Sequence, residues 1–170
     1  MSRLDKRFLS IYLNDHLAGA TAGSALARRM ARCAGDPTER DRLEKVCREI
    51  VQDGRSLRDI MRRLGVRVDP IKVALAFAAE RVGRLKPNGR VRSRSPLSDL
   101  IEVEAMSVAV SGKLAGWTLL REIAPSEDRL DIRDLERLIG RAEGQLVVLE
   151  RIRLRIGAAV LGAVSNHRSR

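Results

Sequence analysis

Residues 36–65 read DPTERDRLEKVCREIVQDGRSLRDIMRRLG, and this stretch decides the fold. Leu43, Ile50, Leu57 and Leu64 recur every seven residues, with Val46 and Ile60 at the intermediate positions. That spacing lines one narrow stripe of a helix built to pack along other long helices. Asp36 is placed to cap the helix, Pro37 takes its first position and Glu39 follows the cap by three residues. Gly65 is placed to end it. One position breaks the stripe: Asp53, between Ile50 and Leu57.

The rest of the chain repeats the theme. All five prolines fall at segment boundaries, and period-two alternation is hard to find, so the spacing predicts an all-α fold. Aromatic residues are only 2% of the 170, so the core must be aliphatic. The expected helices span about 4–34, 37–64, 70–85, 96–124 and 131–164, in one domain covering 1–170. The first carries Phe8, Tyr12, His16, Gly19, Gly23, Ala27 and Met30 on one face. The helix over 70–85 is short and amphipathic, and Ile71, Leu75, Ala78 and Val82 are expected to bury against the third or fourth long helix. The third long helix is apolar over most of its circumference, from Leu100, Ile101 and Val108 to Leu120, which predicts a homodimer.

Short first and third connections with one long middle connection describe a ferritin-like four-helix bundle. Two further stretches, Tyr12-Leu13-Asn14-Asp15-His16-Leu17 and Arg63-Leu64-Gly65-Val66, resemble the ferritin-like family, in particular small bacterial bundle proteins. The resemblance implies a crossover between the second and third long helices that carries the short amphipathic helix. Metal-binding members of that family place Glu-x-x-His on two helices. Here the corresponding stretches are Glu49-Ile50-Val51-Gln52 and Glu143-Gly144-Gln145-Leu146, and the only histidines are His16 and His167. A standard di-metal site is therefore excluded by counting. The metal alternative is a reduced carboxylate–histidine site of His16, Asp53 and Glu104.

No Gly-rich phosphate loop, nucleophile elbow or paired-cysteine motif occurs, so no catalytic residue and no cofactor is assigned. Cys33 and Cys47 lie at unequal distances from the turn between the first two helices, too far apart for a disulfide. Two free thiols suit a reducing cytoplasm. No uncharged apolar run reaches the ~20 residues of a membrane span, and the N-terminal stretch is too soon interrupted by charge for a signal peptide. The net charge is +11, and Arg81, Arg84, Lys86, Arg90, Arg92 and Arg94 fall together with no acid between them. That stretch is the candidate anion or nucleic-acid contact, although aromatic residues for base stacking are missing.

Counting from the two hairpin turns brings His16, Asp53, Ser111 and Gln145 to one level, as a polar layer in an aliphatic core. Asp53 needs a partner there; protonated His16 is the natural one, with Arg48 or Arg121 as alternatives. As a device that fixes helix register, the layer should tolerate Asp53→Leu with stability kept. Gly19 and Gly23 match a small-residue patch of Ser111, Gly112, Ala115 and Gly116, where two helices can approach closely. The leading expectation is a non-enzymatic cytoplasmic bundle acting through protein association. The alternatives are a metal-binding or oxidative-stress protein and a weak nucleic-acid binder.

Overall fold

The computed structural model describes residues 5–72, 74 and 96–162. Four long helices carry them: α1 Lys6–Cys33, α2 Pro37–Leu64, α3 Pro96–Ile123 and α4 Ile132–Gly162, with a short 3-10 turn Ala124–Ser126 between α3 and α4. No strand occurs among the described residues. α1 packs on α2, α3 on α4 and α1 on α3, while α2 meets α4 more thinly. Both consecutive pairs are antiparallel hairpins, since only a few residues join their helices.

The ends are set by local chemistry. The Asp36 carboxylate accepts from the Thr38 N–H with Pro37 at the first position, and Gly65 closes α2 at φ 70°. A Cβ at that φ would clash with the backbone, so glycine suits the stop. Arg129 Nη1 donates to the freed Leu64 carbonyl at 3.1 Å. Asp5 caps α1 through the Arg7 and Phe8 N–H groups.

The α2 stripe is buried as spaced, from Leu43 through Val46, Ile50, Leu57 and Ile60 to Leu64. On α1 the expected face is buried at Gly23, Ala27 and Met30, but not at its start. Phe8 is 66% exposed, whereas Leu13 and Leu17 are almost wholly buried. The Tyr12–Leu17 stretch therefore supplies core, and more besides. Buried Asn14 donates from Nδ2 to the Arg67 carbonyl at 3.0 Å and accepts the Asp69 N–H at 2.7 Å. It pins the segment that leaves α2 to the side of α1, satisfying backbone groups that a helix end leaves open.

α3 buries Leu100, Val103, Met106, Val110, Trp117 and Leu120 against its neighbours. Its opposite side keeps Ile101 and Val108 in the open, Val108 at 74%. Asp69 opens the next turn by accepting from the Ile71 and Lys72 N–H groups. Ile71 itself is 69% exposed, contrary to the expected burial. Leu75, Ala78, Val82 and most of the expected 70–85 helix lie outside the described residues, as do Arg81, Arg84, Lys86, Arg90, Arg92 and Arg94.

Candidate functional site

Asp53 and Gln145 are both 1% exposed, at mid-height of the core. The helical spacing places Glu49 one turn before Asp53 on α2, and Arg141 one turn before Gln145 on α4. Lys113 of α3 completes the group. Its Nζ donates to Asp53 Oδ2 and to Gln145 Oε1, both at 2.5 Å. Gln145 Nε2 donates to Glu49 Oε2 at 3.1 Å and to Asp53 Oδ2 at 3.3 Å. Arg141 Nη2 stands 2.5 Å from Asp53 Oδ1, and its Nη1 donates to Gln52 Oε1 at 3.1 Å. Burying one carboxylate among alkyl chains is costly unless charge and hydrogen bonds compensate it, and two cations and an amide do so here.

The expected layer is thus half right in membership and wrong in partners. Asp53 and Gln145 belong to it. Ser111 is exposed on the outside of α3, and Arg48 faces Glu44. His16 does not hold Asp53: its ring lies on Gly116 and edge-on to Tyr12, with centroids 4.5 Å apart. A Cβ at Gly116 would come within 2.9 Å of His16 Cε1, so glycine is needed there for the ring to fit. Burial pulls the imidazole below its ordinary pKa, with only Asp15 opposing. Burial likewise pulls the Lys113 amine below the ordinary lysine value; Asp53 opposes that shift and Arg141 reinforces it.

Glu104 is exposed and pairs loosely with Arg153 at 3.7 Å, so His16, Asp53 and Glu104 do not converge. Among the described residues no group of three or more His, Cys, Asp or Glu side chains is arranged to hold a metal ion. Cys33 and Cys47 are free thiols, and burial raises the pKa of Cys47. No described helix is long and apolar enough to cross a membrane.

Above the ion cluster lies a cavity of about 350 Å³ between α1, α2 and α3. Its floor carries Asp53 and Lys113, its walls Leu57, Met106, Val110 and Trp117, and His16 borders it. Of the small residues expected to let α1 and α3 approach, Gly19, Gly23, Gly112 and Gly116 line this space and Ser111 and Ala115 do not; the two helices do meet where Gly116 lies on His16. A Cβ at Gly19, Gly23 or Gly112 would meet nothing within 4 Å. Only Gly116 is in tight contact, with His16. Gly19 and Gly112 are exposed and face solvent at the rim of this space, while Gly23 is buried within it. Trp117 is 3% exposed, and its indole Nε1–H has no hydrogen-bond partner among the described residues. A buried N–H left unpaired is rare in native structures.

Lys113 is the functional residue that the sequence reading missed. Its signal was present, because it is the only charged residue between Glu104 and Arg121 on an otherwise apolar helix. No protein-family model, no curated protein and no solved structure matches this chain.

Proposed function

We propose that this chain is a small-molecule-binding helical bundle of ferritin-like connectivity, working in a reducing compartment without a di-metal centre. It holds an apolar molecule in the cavity between α1, α2 and α3. The observation that carries this reading is the space of about 350 Å³ itself, bounded by the buried side chains of Leu13, Leu57, Met106, Val110 and Trp117. That volume and the mostly apolar lining with a few polar groups at one end are typical of ligand sites. The ion cluster beneath supplies the polar end of the cavity, through Asp53 and Lys113.

Trp117 is the chain's only tryptophan, so its fluorescence reports the cavity alone. Titration with N-phenyl-1-naphthylamine, a neutral apolar dye, should quench Trp117 by energy transfer with one dye per chain. Gly23→Leu should fill the space and abolish that transfer while the protein stays folded. Gly23→Ala and Gly112→Ala should each raise unfolding free energy by up to about 1 kcal/mol, the helix-propensity gain with no clash against it. Dye bound equally well by the Gly23→Leu protein would contradict this placement of the ligand.

The protein-association reading keeps one specific support. Ile101, Val108 and Leu119 are exposed on the outer side of α3, separate from the cavity. A homodimer through that side should appear in light scattering at micromolar concentration and dissociate on Val108→Glu. A monomer at that concentration would remove this second reading without touching the first.

A further inference from the structure

The geometry points to Lys113 as a covalent attachment point for a carbonyl ligand: an apolar aldehyde in the α1–α2–α3 cavity condenses with the lysine amine to an imine beside the Asp53 carboxylate. This inference rests on the ligand-binding reading of that cavity and gives its ligand a chemical class.

Only five of the 33 basic residues are lysines (Lys6, Lys45, Lys72, Lys86 and Lys113). The cation that borders the cavity is one of those five. An arginine would serve a purely structural bridge to a carboxylate as well or better, through its planar fork. What lysine alone offers is an amine that can lose its proton and attack a carbonyl carbon.

The charges around it favour that state. Asp53 already has a permanent cation in Arg141, at 2.5 Å, since a guanidinium stays protonated in proteins. A second full charge on Lys113 leaves the three groups one positive charge in excess. Glu49, hydrogen-bonded to the Gln145 amide, opposes that excess more weakly than Asp53 does. Burial lowers the lysine pKa in the same sense. An unprotonated amine has two N–H donors and one lone pair. Asp53 Oδ2 and Gln145 Oε1 accept the two donors, which leaves the lone pair for an electrophile.

Trp117 lies one helical turn beyond Lys113 and borders the same cavity. In the reaction, Asp53 takes the ammonium proton and the freed amine forms a bond to the carbonyl carbon. The nitrogen then gives a proton to the former carbonyl oxygen, yielding a carbinolamine. The C–O bond breaks with the proton returned from Asp53, water leaves and the C=N bond forms. Amine and aldehyde give imine and water, with no oxidant or reductant. A protonated imine would keep Asp53 as its counter-ion.

The test treats the full chain with 2-naphthaldehyde and sodium cyanoborohydride at neutral pH, followed by peptide mapping. Lys113 should gain the mass of the reduced adduct, the aldehyde less its oxygen, about tenfold or more faster than exposed Lys45. Prior occupation by N-phenyl-1-naphthylamine should slow labelling of Lys113 and leave Lys45 unchanged. Lys113→Arg should lose this adduct. If that variant fails to fold, the wild-type rate ratio and the protection by dye decide the matter. Labelling of Lys113 no faster than Lys45, with dye binding intact, overturns the imine and leaves the cavity reading standing. Absence of dye binding by the wild-type chain overturns both.

Discussion

Asp53→Leu is expected to destabilise the protein by about 3–5 kcal/mol, the typical cost of leaving a buried charge uncompensated. The side chain is 1% exposed and faces Lys113 and Arg141, both mostly buried. Removing it leaves two cations side by side in an aliphatic core. The lysine can shed its proton, but the guanidinium stays charged. Denaturant unfolding monitored by circular dichroism reads the effect as a drop in midpoint at constant slope. Replacing all three with apolar residues, as Asp53→Leu, Lys113→Met and Arg141→Met, should recover most of the loss, because no charge is then stranded. A single Asp53→Leu variant with the wild-type midpoint would show that the cluster carries no such energy. The expectation from sequence, that this substitution would be tolerated, assumed one histidine partner; two cations reverse it.

The second large effect concerns the orientation of α1. Leu17→Ala should cost about 2–5 kcal/mol, the loss of a fully buried side chain plus the void left behind. Leu17 is 0% exposed. Phe8→Ala should change stability by no more than about 0.5 kcal/mol, since that ring sits largely in solvent. The contrast runs against ordinary side-chain size, and only burial explains it. Equal losses at the two positions would mean that α1 turns its Phe8 side inward after all.

These two cases also show how far the residues speak for themselves. The α2 helix was legible almost atom by atom, because its cap, its first-position proline, its heptad spacing and its terminal glycine agree. α1 was legible as a helix and, from Gly23 to Met30, as a face, but not over its first half. Its small and polar residues at Tyr12, His16, Gly19 and Gly23 mimic a packing stripe, and in the fold they border a cavity. Periodicity reports which residues share a side, not whether that side meets another helix or a gap. Asp53 and Gln145 were placed correctly by counting from the turns, since helical rise is nearly fixed. Their partners were not, because rise gives height along the bundle and leaves rotation about each axis open. The lone charge of Lys113 on an apolar stretch of α3 was the available clue. A buried acid in the α2 stripe and a buried base on α3 are complementary, and pairing them needs no structure.

The ion cluster and the cavity depend on each other. The cluster ties α2, α3 and α4 together at mid-height, through Asp53, Lys113, Arg141 and Gln145. With those three helices held, the cavity keeps its polar end at Asp53 and Lys113. Farther along, Arg155 of α4 joins Asp36 at 2.5 Å and also pairs with Glu39, holding the start of α2. Such exposed pairs are worth little singly, so the buried cluster is the element that sets the spacing.

A crystal of the protein under xenon pressure tests the maintained gap most directly, because xenon enters apolar cavities without requiring a specific partner. The account predicts a xenon atom between α1 and α3, beside Gly23 and Trp117, with the helix separation unchanged from that of the xenon-free crystal. No xenon there, with the Gly19–Gly23 and Gly112 faces closed on each other, would contradict it.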